Sequence, residues 1–324
     1  MALPRDTDAD AIEKVAGAAH PLSCTGDDAE LRPLLAAMAS SQRSRPTQPQ
    51  FVLLGEATHG THEFYTLRAA ITKRLVEDHG FSVVLVEGDW PAAQRVNRYL
   101  GSMGTSMDRT AEQSLDGFQG FPRWMWRNGC ISRLVDDLKA HNERVARAQS
   151  DRDAALDARD AMQAAGATEE QMRAAGLLSR AEADTIAASA GAQVSFHGVD
   201  VYSVWRSSRA VIEFLEIVDP DAAERARDAY AVFEPFGEAG LKEYGMQATL
   251  GELAPRSAEI QQALLQTLAD LQRANRELYS TMVPPAELLD AEVNAEVVIS
   301  ACVPPSATAA ATRCVSRHIS HMET

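Results

Sequence analysis

Glu56 and His59 lie three residues apart in the segment LLGEATHG, just after an apolar run. Charged and imidazole side chains are costly to place beside a core unless they are paired, exposed or used. A neutral imidazole can take a proton from water, while a carboxylate fixes its tautomer and stabilises the imidazolium that forms. The pair therefore predicts general base catalysis. The simpler alternative is that Glu56 caps a helix and His59 is merely exposed.

Two further carboxylates follow apolar runs. Glu87 stands near the end of FSVVLVEGDWP, and Asp200 stands near the end of VSFHGVDVYS. Together with FVLLGE, which ends at Glu56, these runs are typical of buried parallel strands. The carboxyl ends of parallel strands lie at one edge of a sheet, where open α/β sheets bind ligands. Carboxylates at all of these strand ends predict a functional cleft.

Four other side chains are candidates for contact with a substrate. Arg68 lies on the helix predicted for HEFYTLRAAITKRLVEDHG. A guanidinium there is suited to hold a substrate oxygen or a developing oxyanion, and the alternative is a solvated helix arginine. Trp124, Trp126 and Arg127, from FPRWMWRN, predict the lining of a broad apolar pocket, with core packing as the alternative. We assign substrate binding to these three residues and to Asp200.

A metal site is a second chemical interpretation of the first motif. His59, His62 and Glu63 have the i, i+3, i+4 spacing that can present three ligands from one helical face. The HExxH signature is absent, and our main interpretation uses no metal and no cofactor. The sequence also contains no GxSxG, GxxxxGK or GxGxxG motif, which argues against a serine hydrolase, a P-loop enzyme and a Rossmann dehydrogenase.

The order of elements around these residues predicts an α/β fold. FVLLGE, the helix closed by Gly80 and FSVVLVEGDWP form a strand, a helix and a strand in succession. Such a βαβ unit implies a parallel pair of strands with a right-handed crossover. A helix from Ile131 to about Ala148 follows, and after Tyr202 come further amphipathic helices, one of which begins with the Asp-Pro pair of DPDAAERARDAYAVFEPF. We therefore expect a parallel sheet core surrounded by helices.

Composition narrows the class of protein and its partners. The 324 residues carry a net charge of -15, which argues against nucleic acid and anionic membranes as partners. The four cysteines are scattered without a CxxC pair, which favours a reducing compartment. The N-terminus has no secretory h-region, and no apolar stretch is long enough to span a bilayer. We expect a cytoplasmic protein that acts on a small molecule.

The chain is predicted to have three parts. Residues 1–44 are an N-terminal segment with a short helix, and residues 45–296 are the α/β domain. Within that domain, residues 149–192 are rich in Ala, Asp and Arg, which predicts an inserted helical hairpin or a flexible segment. From Val297 the helical period is lost and a Pro pair follows, so residues 297–324 are predicted to be an irregular tail.

Several ordered segments resemble the erythromycin esterase family. They are GEATHGTHEFYTLRAAITKRLVEDHGF, VVLVEGDWPAAQRVNRYL, FPRWMWRN, HGVDVYS and the late NAE, which together run from about Phe51 to Glu296. The resemblance implies an α/β core surrounded by helices. It also implies a hydrolase of esters or lactones, related to enzymes that open the lactone of macrolide antibiotics and hence to antibiotic resistance, and generally without a metal.

The resemblance also implies roles for individual residues. His59 matches the histidine that activates water, and Glu56 matches the glutamate of the same motif. Arg68 matches an arginine of the active cleft, and Glu87 matches the glutamate at the end of the second strand. These are the residues that the spacing argument had already placed at one edge.

The C-terminal part departs from the family pattern. Family members continue beyond NAE into a Tyr-Tyr-Arg run, a helix and a His-Asn-x-His motif that supplies another active-site histidine, and none of these is present after Glu296. We therefore expect a truncation or frameshift after about residue 296. This leaves two alternatives to an active esterase, namely an impaired homologue that binds a ligand without turnover and a metal-dependent hydrolase.

Overall fold

The computed structural model describes residues 13, 16–17, 22, 31–36, 51–101, 106–119, 123–200, 203–236, 263, 265–269, 271–272 and 276–302. The chain divides into two compact units, residues 1–79 and residues 80–324. Each unit is described by itself below. Most of the described residues are helical, and the described strands form one small parallel sheet.

The predicted strand FVLLGE is not a strand. Residues 51–56 have no regular secondary structure, and Leu53 is 93% exposed. No strand in the described part of the first unit pairs with them. An apolar run indicates a tendency to be buried, but a strand also needs a neighbour for its backbone N–H and C=O groups. The prediction of a βαβ unit beginning at residue 51 is therefore wrong.

The helix that follows is confirmed. Helix α1 spans His62–His79 and buries Tyr65, Ile71, Leu75 and Val76 on one face. Tyr65 N and Phe64 N donate to the carbonyl of Thr61, which makes the first turn. The predicted stop is correct as well, because Gly80 adopts a φ of 72°, a left-handed conformation that favours glycine.

The second unit contains the sheet and the remaining helices. The strands are β1 (Val83–Asp89) and β2 (Ser195–Asp200). The helices are α2 (Trp90–Leu100), α3 (Ala111–Ser114), α4 (Gly129–Ala164), α5 (Glu169–Ala174), α6 (Arg180–Ser189), α7 (Val204–Val218), α8 (Pro220–Tyr230), α9 (Arg276–Met282) and α10 (Pro285–Cys302). Short 3-10 helices span Leu115–Gly117, Arg123–Met125 and Ala231–Phe236.

The two strands pair in parallel and approach each other closely at their carboxyl ends. Val86 is paired with Gly198, and Asp89 is paired with Asp200, with an irregularity in the register between them. A Cβ atom added to Gly198 would press on the carbonyl oxygen of Gly88 and lie 2.7 Å from the carbonyl carbon of Asp89. Because backbone atoms cannot give way easily, only glycine fits at this position.

The other edge of β2 is covered by side chains. Phe196 N donates to Asn97 Oδ1 of α2 at 2.5 Å, and Val194 N donates to Asn142 Oδ1 of α4 at 2.7 Å. The Asn142 amide group also donates to the carbonyl of Val194 at 2.9 Å. Both asparagines are buried, so their amides satisfy backbone groups that a third strand would otherwise bind.

The helical core of the second unit is formed by α7, α8, α9 and α10. Its apolar residues include Val211, Leu215, Ala223, Tyr279 and Val298. The Asp-Pro helix start predicted after Tyr202 is confirmed, because Asp219 caps α8 by accepting from Ala222 N at 2.9 Å. Asp219 also accepts from the Tyr279 hydroxyl at 2.9 Å, which ties α9 to the start of α8.

The boundary predicted at residue 297 is wrong. Helix α10 continues to Cys302, and Val297 and Val298 are buried. Ser300 is the one polar residue in the run VVISAC, so the sequence shows no helical period there. Residues 303–324 of the predicted irregular tail lie outside the described residues.

Residues 149–192 are mostly helical. They comprise the second half of α4 followed by α5 and α6. Capping boxes at Thr168 and Ser179 begin the two short helices. Buried Leu156, Met172 and Ala183 line the inner sides of these three helices. That this segment is an insertion stays a prediction.

The close contact between the strands can be tested by mutation. We expect Gly198→Ala to lower the free energy of unfolding by about 1–3 kcal/mol or more, because its methyl group meets the backbone of β1. Gly129→Ala is the matched control, since a Cβ there meets nothing closer than 4.0 Å, at the Arg133 side chain. Urea unfolding should show that the control is unchanged or slightly more stable. Equal stability of the two variants would contradict the packing argument.

Candidate functional site

The first candidate site is built around the Glu56 carboxylate. Glu56 Oε1 lies 2.5 Å from His59 Nδ1, and the side chain of Glu56 is 9% exposed whereas that of His59 is 45% exposed. Gly60 follows with a φ of 85°, which lets the chain turn from this pair into α1. The predicted pairing of Glu56 with His59 is thus present, with a buried carboxylate orienting an accessible imidazole.

Arg68 joins the same carboxylate from the helix. Its Nη2 lies 2.7 Å from Glu56 Oε2 as an ion pair, and its guanidinium sits 4.7 Å from the ring centroid of Tyr65. The sequence analysis predicted that Arg68 contacts the substrate. In the structure, part of its guanidinium contacts Glu56. A guanidinium has five N–H donors, so one contact with a carboxylate leaves others for a substrate oxygen.

Tyr65 is a site residue that the sequence analysis did not identify. Its hydroxyl donates to Glu56 Oε1 at 3.4 Å. Burial, and then the negative charge of Glu56, raise the pKa of Tyr65 above its ordinary value. The signal available in the sequence was the spacing of Tyr65 and Arg68, which places them on one side of the helix.

The alternative metal set is not assembled. His62 Nε2 lies 3.4 Å from Thr66 Oγ1, one turn along α1, while His59 Nδ1 is directed at Glu56. Among the residues that the structure describes, no group of three or more His, Cys, Asp and Glu side chains is placed to hold a metal ion. The spacing of His59, His62 and Glu63 therefore does not produce a three-ligand site.

A second set of carboxylates lies in the other unit, at the carboxyl ends of β1 and β2. Asp200 ends β2 as predicted, whereas Glu87 is followed by two more residues of β1 and is exposed. Burial, followed by the charges of Glu87 and Asp89, raises the pKa of Asp200 to about 6. The structure thus brings Glu87 and Asp200 together, with Asp89 as a member that the sequence analysis missed. That Glu56 shares their edge stays a prediction.

The aromatic candidates have different surroundings. Trp126 is buried and donates its indole N–H to the carbonyl of Glu87 at 2.7 Å. Its ring and that of Phe118 cover Gly88, with ring centroids 6.2 Å apart. Trp126 therefore supports the strand end. Trp124 is 48% exposed and accessible to a ligand.

Arg127, the last of the candidates from FPRWMWRN, forms an ion pair with Asp116. Its Nη2 lies 2.5 Å from Asp116 Oδ1. Both side chains are accessible to solvent, so the pair contributes little to stability. A substrate carbonyl or carboxylate could replace Asp116 as its partner.

The strand ends are also tied to the last helix. Trp90 follows Asp89 directly, and its indole N–H donates to Asp290 Oδ1 of α10 at 2.8 Å. The ring of Trp90 stacks on buried His197 at 5.1 Å, and the side chain amide of Gln94 lies 3.1 Å from His197 Nδ1. Burial raises the pKa of Asp290 above its ordinary value. These contacts fix the start of α2, and with it the end of β1.

Comparison with known proteins identifies the family. Residues 76–313 match the family model described as erythromycin esterase. The chain therefore belongs to the erythromycin esterase family. The matched range contains Glu87 and Asp200 and continues beyond Glu296, where the sequence resemblance was expected to end. It begins after Glu56, His59 and Arg68, so the family match does not bear on them.

Two solved structures share the fold. One is a succinoglycan biosynthesis protein, with a TM-score of 0.52 and 16% identity over 93% of this chain and 57% of that chain. The other is a protein from Bacillus cereus, with a TM-score of 0.53 and 17% identity over 94% of this chain and 59% of that one. The chain spans less than two thirds of the length of either protein. At this level of identity the likeness shows the fold alone.

The crowding of carboxylates at the strand ends predicts a dependence of stability on pH. Because the pKa of Asp200 is raised in the folded chain, its contribution is fully present below about pH 4 and is lost as the pH rises through about 6. Asp200→Asn should therefore gain about 1–2 kcal/mol relative to wild type between pH 4 and pH 7, allowing for partial exposure. Urea unfolding at several pH values measures this difference.

Asp108 provides a control for which the opposite dependence of stability on pH is expected. Hydrogen bonds from Arg95 lower the pKa of Asp108, so its contribution to stability is present at neutral pH and is lost as the pH falls. Asp108→Asn should therefore lose stability relative to wild type at pH 7 and lose less at pH 4. If Asp200→Asn follows the same course as Asp108→Asn, the proposed repulsion at the strand ends is wrong.

Proposed function

We propose that this chain is a hydrolase of carboxylic esters or lactones in which His59 activates the attacking water. The observation that carries the proposal is the contact between Glu56 and His59 Nδ1. When Nδ1–H donates to the carboxylate, the lone pair of the neutral imidazole lies on Nε2. Nε2 then takes a proton from water, and the hydroxide that forms attacks the acyl carbon of the ester.

Glu56 serves this step in two ways. As a negative charge it stabilises the imidazolium that forms when His59 accepts the proton, and as a fixed acceptor it holds the ring in one orientation. Arg68 keeps the carboxylate in place through its ion pair, and its remaining N–H groups are positioned to donate to the oxyanion of the tetrahedral intermediate. As that intermediate collapses, the imidazolium of His59 returns its proton to the leaving alkoxide, so the alcohol and the carboxylic acid are formed and His59 is neutral again.

The remaining candidates have proposed roles that rest on the sequence and on the family. Glu87 orients the water or stabilises the intermediate, and Asp200 contacts the substrate. Trp124 and Arg127 contribute an apolar surface and a cation for it, while Trp126 acts through its hydrogen bond to the backbone of Glu87.

The substrate class follows from the family name, and a macrolide lactone is the first substrate to test. A role in antibiotic resistance, a small-molecule partner and a cytoplasmic location are parts of the same proposal. Within the described ranges, no helix is long and apolar enough to cross a membrane.

The role of His59 is tested by replacement. Purified wild type and His59→Ala are incubated with a macrolide, simple esters and simple lactones, and products that have gained one water are measured by mass spectrometry. Loss of a general base should lower kcat roughly 10²–10⁴-fold. His62→Ala is the matched control, because His62 stands three residues later, at the start of α1, where its Nε2 lies 3.4 Å from Thr66 Oγ1.

The control separates the alternatives. Unchanged turnover in His62→Ala together with loss in His59→Ala supports the proposal. Equal losses in both variants, with activity abolished by chelation, would favour the metal-dependent alternative. Saturable binding of a macrolide with no turnover of any ester would favour an impaired homologue. Full activity of His59→Ala would overturn the assignment.

A further inference from the structure

Tyr65 contacts two charged groups of the Glu56 site. Its hydroxyl donates to Glu56 Oε1 at 3.4 Å, the same oxygen that faces His59 Nδ1. Its ring supports the guanidinium of Arg68 at 4.7 Å. The hydroxyl contact is longer than the usual O–H···O range of about 2.5–3.0 Å, so the hydrogen bond is weak and a small displacement of Glu56 would break it.

The environment of Tyr65 keeps its phenol in the form that this role needs. The side chain is buried, and burial together with Glu56 raises its pKa. The phenol therefore remains protonated at neutral pH and can donate to a carboxylate. A phenolate at this position would repel Glu56.

Tyr99 has a similar set of contacts around a different carboxylate. Its hydroxyl donates to Asp136 at 3.3 Å, and Lys139 Nζ lies 4.4 Å from its ring centroid. Burial, then Asp136, raise the pKa of Tyr99 to about 12. Tyr65 and Tyr99 are thus both buried, and each has a carboxylate acceptor and a cation on its ring. The hydroxyl of Tyr65 donates to Glu56, whereas that of Tyr99 donates to Asp136.

We propose that Tyr65 is a positioning residue, whose hydroxyl holds the Glu56 carboxylate and whose ring supports Arg68, so that Glu56 meets His59 in the geometry that catalysis requires. This inference rests on the proposed function. Tyr65 does not touch the reacting atoms. It acts through Glu56, which orients the general base, and through Arg68, which holds the other carboxylate oxygen.

The inference makes a specific prediction about the reaction. Loss of the hydroxyl leaves Glu56 less fixed, so a smaller fraction of molecules has Glu56 and His59 aligned when substrate is bound. We expect Tyr65→Phe to lower kcat roughly threefold to tenfold, the value of one hydrogen bond, with KM little changed. Tyr65→Leu should lower it further, because the support for Arg68 is lost as well.

The experiment compares Tyr65→Phe with Tyr99→Phe in the full chain. Both variants keep an aromatic ring and lose one hydroxyl that faces a carboxylate, so a general loss of packing affects them alike. Turnover of an ester hydrolysed by wild type gives kcat and KM. The NMR signal of the His59 Nδ1 proton reports the contact with Glu56, and it should shift or broaden in Tyr65→Phe alone.

The outcomes distinguish this inference from the proposed function. A lower kcat in Tyr65→Phe with a changed His59 Nδ1 signal, neither seen in Tyr99→Phe, supports it. An unchanged kcat or an unchanged His59 signal in Tyr65→Phe, or an equal loss of kcat in Tyr99→Phe, overturns it. If wild type hydrolyses no ester, the proposed function fails. In that event the His59 signal still decides whether Tyr65 holds Glu56.

Discussion

The close parallel pairing of β1 and β2 is the constraint on which the second unit depends. A two-stranded sheet is marginal in water and leaves one edge of each strand without partners. Here Asn97 and Asn142 bind the backbone of β2 from two different helices. The strands are thus held by buried amides as well as by apolar packing, and each amide specifies one position along the strand.

The same pairing creates an unfavourable concentration of charge. Gly88 and Gly198 allow the strand ends to approach, and the approach brings Asp200 near Glu87 and Asp89. Burial raises the pKa of Asp200, and the charges of Glu87 and Asp89 raise it further. Groups of like charge held together at strand ends are typical of functional sites, where stability is sacrificed for chemistry. Trp126 and Trp90 keep the backbone fixed there by hydrogen bonds to Glu87 and Asp290.

Local patterns in the sequence were sufficient for the elements that short-range rules control. The limits of α1, the Asp-Pro start of α8 and the carboxylate at the end of β2 were predicted from spacing and capping residues. FVLLGE was wrongly predicted as a strand because pairing depends on a partner elsewhere in the chain. The last helix was cut short at Glu296 because its final residues, VVISAC, show no alternation of polar and apolar positions.

Polar contacts between distant segments could not be predicted from such short-range rules. Asp290 lies 200 residues after Trp90, and Asn97 lies about a hundred residues before the strand whose backbone it binds. Nothing in the local sequence distinguishes these residues from solvated helix positions. Tyr65 was missed for the opposite reason, since its apolar ring already explained its place on the buried face of α1.

The Glu56 site shows why the contacts of a side chain, and not its spacing in the sequence alone, matter for function. A carboxylate and an imidazole at close spacing can be read from the sequence, but their chemistry depends on what surrounds the carboxylate. Glu56 is nearly buried and is met by His59, Arg68 and Tyr65, so its two oxygens are held by different donors. A carboxylate held in this way resists rotation and keeps the imidazole in a single orientation. That restraint is what separates a candidate general base from an exposed histidine beside an acid.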